Sequence, residues 1–250
     1  MGVLRALTVA ELRVTQDLTV VGILKWMLEP LSYMAVYYLL IGVVLGATSR
    51  TPAYPLFLLC GLVPFRYFSG VVGESMNLIT RFGAAITNRA FPRWVLPLVL
   101  VAAEVPTLLL SMLLFAPMMA AFGIGPSAAL LWIPVIVVVL ALVSTGPAYL
   151  MAVFGLYFPD FRGAAQNLIR MTYFVSTGLF PASEAKGDVL PLLPKLNPLS
   201  GLFDSLRAVV LHGNPPKPFD LLYPAAVGLV LLAIGGSVYR WRQHQFAKEL

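Results

Sequence analysis

Six stretches of roughly membrane thickness follow one another through this chain, at about 26–48, 55–79, 96–122, 129–157, 164–181 and 220–239. A helix needs about 20 predominantly apolar residues to cross the hydrocarbon core of a bilayer. In lipid every backbone polar group must be satisfied inside the protein, so runs of this length are expected to be helices. Composition agrees. The 250 residues are 59% hydrophobic and only 11% charged, against about 25% charged in a soluble domain. The expected fold is all-α integral membrane, with six transmembrane helices in a single domain over 1–250.

The remaining segments are short. Residues 1–25 place Leu4, Leu7, Ala10, Val14, Leu18 and Val21 on one side of a helix, with Arg5, Arg13 and Gln16 opposite. This pattern predicts an amphipathic interfacial helix lying on the membrane. Spans one to five occupy 26–181. Residues 182–214 carry both signs of charge, are broken by proline, and contain an amphipathic stretch too short to span. They are expected to fold back as short re-entrant helices at the extracytoplasmic face, between spans five and six. Span six, 220–239, leads to a tail over 240–250.

Basic residues in short loops set orientation. With the N-terminus inside, the inner segments hold Arg5, Arg13, Lys25, Arg81, Arg89, Arg93, Arg162, Arg240, Arg242 and Lys248. The outer ones hold Arg50, Lys186, Lys195, Arg207 and Lys217. Both termini are therefore expected in the cytoplasm, with the chain multi-pass in the inner or plasma membrane. The net charge of +6 reads as a topology signal, not as a nucleic-acid footprint. The first apolar run starts too late and runs too long for a signal peptide.

Several chemistries lack their signatures. The single cysteine, Cys60, excludes an internal disulfide and sits in an apolar run. His212 and His244 are far apart, and no clustered Cys or His ligands suggest a metal site. A phosphate-binding loop ends in Lys followed by Ser or Thr. The lysines here precede Trp26, Gly187, Leu196, Pro218 and Glu249. Any ATP hydrolysis must come from another polypeptide.

Candidate functional residues are the polar groups in apolar surroundings. Arg66, Glu74 and Glu104 lie inside spans, where ionisable groups pair or face a polar path. Arg66 and Glu104 each sit about ten residues from a span end and so share a depth. They are expected to pair, either as a staple between helices or as part of a transport path. Lys25 and Glu29, at i and i+4, have the spacing to pair at the interface. Tyr33, Tyr37 and Tyr38 offer flat faces with polar tips, suited to a sugar conduit or to ordinary packing. Arg81, Arg89 and Arg93 suit an anionic lipid headgroup, or else only fix topology. Asp160 and Arg162 occupy a very short charged loop, suited to docking a cytoplasmic partner or simply solvated.

Three segments carry a family resemblance: V-V-G-I-L-K-W-M-L-E-P-L at 20–31, F-P-D-F-R at 158–162 and L-N-P-L-S-G-L-F-D-S-L-R at 196–207. In this order and spacing the chain resembles the membrane subunit of type-2 ATP-binding-cassette exporters, in the branch that moves lipid-linked polysaccharides such as O-antigen, capsule, teichoic acid or galactan. The resemblance implies a homodimer joined to two copies of a separate nucleotide-binding subunit, which would use ATP and Mg. This chain itself would hold no cofactor, act as no enzyme and bind no nucleic acid. The resemblance further implies a substrate entrance at Arg81 to Arg93 and ATPase contacts at the N-terminal helix and the Asp160–Arg162 turn. It implies an outer gate over about 188–212, where Asn197, Pro198, Phe203 and Arg207 lie.

Other readings follow from the same residues. One is a type-2 permease for a small lipophilic drug or lipid, which predicts a lateral apolar cleft in place of an aromatic-lined channel. Another is a membrane enzyme acting on lipid-linked sugars, with Glu74, Glu104 or Asp160 as acid or base. A passive scaffold explains the spans but not the buried charges.

Overall fold

The computed structural model describes residues 20–44, 53–83, 92–179 and 195–246, without the side chains of residues 20, 21 and 23–25. Among the described residues every regular element is helical. Helix α1 (Val20–Tyr37) continues as a π-helical stretch, Tyr38–Val44. Next come α2 (Tyr54–Arg81), α3 (Leu96–Met112), α4 (Phe115–Ala121), α5 (Ile133–Tyr157), α6 (Arg162–Phe174), α7 (Pro198–Val210) and α8 (Pro218–Arg242). Single 3-10 turns precede α3, α5 and α6, at Arg93–Val95, Ala128–Trp132 and Pro159–Phe161.

Five helical stretches are long and apolar enough to cross a membrane: Trp26–Val44, Tyr54–Arg81, Arg93–Ala121, Ala128–Tyr157 and Pro218–Arg242. They coincide with five of the expected runs. The run expected over 164–181 differs. Its helix, α6, has 13 residues, about 20 Å at 1.5 Å per residue, and residues 175–178 form turns. Arg162, Gln166, Asn167 and Arg170 make this helix amphipathic, so it presents one polar face and one apolar face instead of an apolar surface all round. The segment 1–19, the Lys25 side chain, Arg89, residues 180–194 and residues 247–250 lie outside what is described. The expectations placed on them, including the Lys25–Glu29 pair, lie there too.

Helix α2 is the centre of the bundle. It packs against α1, α3, α5, α6 and α7, and Leu56, Leu58, Leu59, Cys60, Val71 and Leu78 are wholly buried along it. Helix α8 lies along α5 on the far side. Small residues let these backbones touch, as expected for helix pairs in lipid. A Cβ on Gly146 of α5 would strike the backbone of Leu231, and one on Gly235 of α8 would strike the Gly146 carbonyl. Some buried hydroxyls are satisfied within their own helices: Ser75 donates to the Val71 carbonyl at 2.6 Å and Ser144 to that of Leu140 at 2.8 Å.

Helix α7 is the described part of the expected re-entrant region. Its 13 residues are too few to span. Leu202, Phe203, Leu206, Val209 and Val210 are fully buried, because α7 is wedged among α2, α5 and α8.

Candidate functional site, a charged and aromatic groove

Helical spacing builds one groove. On α1, Trp26, Glu29, Pro30, Tyr33 and Tyr37 recur at i, i+3, i+4, i+7 and i+11, which is one helix face. On α2 the face runs from Leu62 through Phe65, Arg66, Ser69, Gly70 and Gly73 to Glu74. Helix α6 contributes Gln166, Ile169, Arg170, Tyr173 and Phe174, and α3 adds Glu104 and Thr107. Together they enclose about 910 Å³.

The groove has two characters along its length. Near the start of α1 and the end of α2 it carries ionisable groups. Arg66 Nε donates to Glu29 Oε2 at 2.8 Å, with both side chains partly exposed. Towards the end of α1 it becomes aromatic. Phe65 and Tyr173 have ring centroids 4.9 Å apart, Tyr37 and Tyr173 6.0 Å, and Tyr37 meets Phe174 edge-on at 6.3 Å. The Thr107 hydroxyl lines the groove, is 2% exposed, and has no hydrogen-bond partner among the described residues.

Five of the candidate residues read from the sequence thus share one site: Tyr33, Tyr37, Arg66, Glu74 and Glu104. The expected Arg66–Glu104 pair is corrected, because the carboxylate that meets Arg66 belongs to Glu29. Depth alone misled. Glu104 packs one turn further along α2, where its carboxylate oxygen lies 3.8 Å from the position a Cβ on Gly70 would take. Sequence reasoning did not place Gln166, Arg170, Tyr173 and Phe174 in the site. Their spacing at i, i+4, i+7 and i+8 was the available signal.

The remaining candidates lie elsewhere. Arg81 is exposed at the end of α2, with its guanidinium 5.6 Å from the Phe82 ring centre. Arg93 NH1 donates to the Gln243 carbonyl at 2.6 Å, just past the end of α8. The Arg93 carbonyl accepts from Tyr239 Oη at 2.9 Å. This arginine therefore ties α3 to the carbonyl end of α8, where positive charge is favoured.

The Asp160–Arg162 turn divides its labour. Asp160 is exposed. Arg162 turns inward and donates to the Gly155 carbonyl from Nε and NH2 at 2.9 and 2.6 Å, to Asn77 Oδ1 at 3.1 Å and to Thr80 Oγ1 at 3.3 Å. It bolts the α5–α6 corner to the end of α2.

Asn197 caps α7, its Oδ1 accepting from the Leu199 amide at 3.0 Å, while its Nδ2 donates to the Thr172 carbonyl at 2.9 Å. Pro198 opens the helix, where a missing amide is harmless. Phe203 lies 6.2 Å from the Tyr173 ring. Arg207 is 4% exposed. It donates to Asp204 Oδ1 at 2.9 Å and to the Gly178 carbonyl at 3.1 Å, and its guanidinium stands 3.5 Å over the Phe57 ring. Burial pulls this guanidinium below its ordinary pKa, and the Asp204 carboxylate works the other way. Of the four residues expected at an outer gate, Asn197 and Phe203 join α7 to the end of α6, at the aromatic end of the groove, Arg207 joins it to Gly178 and to Phe57 of α2, and Pro198 starts the helix.

No protein-family model matches the chain. Individual relatives do, along nearly its entire length. The O-antigen export system permease protein RfbA of Myxococcus xanthus is 29% identical over 250 residues, covering 100% of this chain and 95% of the relative. A Klebsiella pneumoniae protein of the same description is 26% identical over 246 residues, with 98% and 93% covered. The polysialic acid transport protein KpsM of Escherichia coli is 26% identical over 246 residues, with 95% and 92% covered. The likeness therefore embraces α1, the groove, the Asp160 turn and α7 together, and bears out the resemblance read from the three segments. From end to end, the chain is a homologue of permeases that serve O-antigen export and polysialic acid transport.

Proposed function

We propose that this chain is the membrane subunit of an ATP-driven exporter that carries a lipid-linked polysaccharide outward across the inner membrane, through the groove between α1, α2, α3 and α6. The observation that carries this reading is the groove itself: ionisable at one end, aromatic at the other, and running beside spanning helices. A lateral cleft for a lipophilic drug would be apolar throughout, whereas Glu29, Arg66, Glu104 and Arg170 suit hydroxyl-rich cargo. Full-length similarity to permeases of polysaccharide systems supports the same substrate class.

In this reading two copies of the chain face one another and close the groove into a conduit. The helices flanking it present a broad apolar face: Val36 on α1, Leu39, Leu40 and Val43 on the π-helical stretch that continues it, and Leu168, Met171 and Phe174 on α6, are each more than half exposed. Two nucleotide-binding subunits, using ATP and Mg, dock at the cytoplasmic side, where Asp160 is presented. Because Arg162 bolts that turn to α2, a push on the turn reaches the helix that carries Arg66 and Glu74. The stitching of α7 to the end of α6 then serves as the outer closure.

The test is co-purification of the detergent-solubilised chain with a Walker A-bearing chain encoded beside it, followed by ATPase and export assays of the pair. A stable complex whose ATPase drives surface display of polymer is expected. A chain that purifies alone and turns over lipid-linked sugars without ATP would overturn the reading in favour of an enzyme.

A further inference from the structure

Resting on the exporter reading, we infer that Gly70 and Gly73 of α2, with Thr107 of α3, form a subsite in the groove wall that seats one sugar ring of the passing polymer. Two features that helix packing does not explain meet at this place.

The first is the space beside Gly73. Other glycines of the spanning helices serve close packing: a Cβ on Gly146, Gly155, Gly228 or Gly235 would press into a neighbouring backbone. Gly73 is also buried and lines the groove, yet a Cβ there would meet nothing within 4 Å among the described residues. Gly70, one turn earlier on the same face, is bounded only by the Glu104 carboxylate at 3.8 Å, an ordinary contact. Glycine inside a helix is destabilising relative to alanine, so two on a groove wall with room for side chains point to something else that uses the room. They leave α2 bare over one turn, about 4.5 Å at 1.5 Å per residue. The face of a sugar ring can lie against such a surface.

The second is the Thr107 hydroxyl, on the same face of α3 as Glu104. Ser75, Ser111, Ser144 and Thr145 each donate to the carbonyl four residues back. Thr107 does not. Its hydroxyl is buried in the groove wall with no partner among the described residues. A buried hydroxyl without a bond is unfavourable. Threonine in a helix has two accessible rotamers, so a turn about χ1 presents this one to the cavity. The missing bond is one that a sugar hydroxyl, both donor and acceptor, supplies. A bare floor with one hydroxyl at its side matches a ring with apolar faces and hydroxyl-bearing edges.

The test uses the full complex of this chain with its ATPase, in cells lacking their own exporter and making an O-polysaccharide. Surface polymer and the melting of the purified complex are measured for each variant. Gly73→Leu grows into the recess from a Cβ that meets nothing, and is expected to cut surface polymer about tenfold at unchanged melting. Gly236→Leu, the same change outside the groove at another position where a Cβ meets nothing, is expected to export normally. Thr107→Val keeps the shape and removes the hydroxyl. It is expected to lower export severalfold with melting unchanged or raised, and Thr107→Ser to retain export. Normal export by Thr107→Val, or by Gly73→Leu at unchanged melting, overturns the subsite and leaves the exporter reading standing. If Gly73→Leu melts early, Thr107→Val decides alone. Absence of surface polymer from the unaltered complex overturns the exporter reading itself.

Discussion

Arg162 reaches back one full corner to grip the carbonyl of Gly155 with two of its nitrogens, at 2.9 and 2.6 Å. Gly155 in turn lies so close to α2 that a Cβ there would overlap the Met76 carbonyl. The guanidinium thus satisfies a carbonyl at the end of α5 while its other bonds, to Asn77 and Thr80, fasten α2 to the same corner.

This contact separates two roles within one turn. Arg162→Gln removes charge-assisted bonds and is expected to lower stability by about 1.5–3 kcal/mol. Arg162→Lys recovers only part, since an ammonium lacks the planar fork. Asp160→Ala, which touches only an exposed side chain, should leave melting unchanged yet weaken ATPase association. Thermal melts of the purified chain and pull-down of the ATPase measure the two separately.

Close helix contacts give a second prediction. Gly155→Ala and Gly146→Ala force backbones apart, since the new methyls would meet main-chain atoms. A loss of about 1–3 kcal/mol is expected for each, the usual scale of overpacking. Gly236→Ala meets nothing within 4 Å. It is expected to be neutral or to stabilise α8 by up to about 1 kcal/mol. Melting temperatures of the three variants in one detergent check the ordering.

The Glu29–Arg66 pair is partly exposed, at 38% and 25%, so its contribution is modest. A double-mutant cycle with Glu29→Gln and Arg66→Gln is expected to yield a coupling of about 0.5–2 kcal/mol. Exchange of the two residues should recover stability better than either single reversal. Additive single effects would mean that the pair is not formed.

Arg207 predicts a larger effect. Arg207→Met takes one of two donors from the Gly178 carbonyl, which keeps the Tyr173 hydroxyl at 3.3 Å, and removes the stacking on Phe57, at a loss of about 2–4 kcal/mol. Asp204→Asn, on the exposed side of the same ion pair, is expected to lose about 1 kcal/mol or less. Denaturant or thermal unfolding of the two variants checks this ranking.

Much of the fold was legible because lipid imposes length. Five of the expected spans meet the length and polarity needed to cross. Span five, expected over 164–181, was the hardest to read. Its leucine, isoleucine and aromatic residues look continuous in one dimension, yet Gln166 and Arg170 share a helix face with Tyr173, so the helix is amphipathic and short. The site was half legible. Intramembrane charge marked Arg66 and Glu104, but partner choice depends on azimuth as well as depth, and a linear sequence gives only depth. Glu29 was missed as Arg66's partner for that reason. Likewise, Arg162 read as a docking residue because nothing in sequence shows that Asn77, Thr80 and the Gly155 carbonyl converge on it.

The central claim is that polymer moves through the groove between α1 and α6. The most direct test places a photo-crosslinking amino acid at Tyr33 in the groove, or at Val138, which is exposed on the α5 surface away from it. Cells exporting a labelled O-polysaccharide are then irradiated. The account predicts polymer crosslinked at position 33 and not at 138, and dependent on an active ATPase. Equal labelling at both positions, or none at 33 while export proceeds, would contradict it.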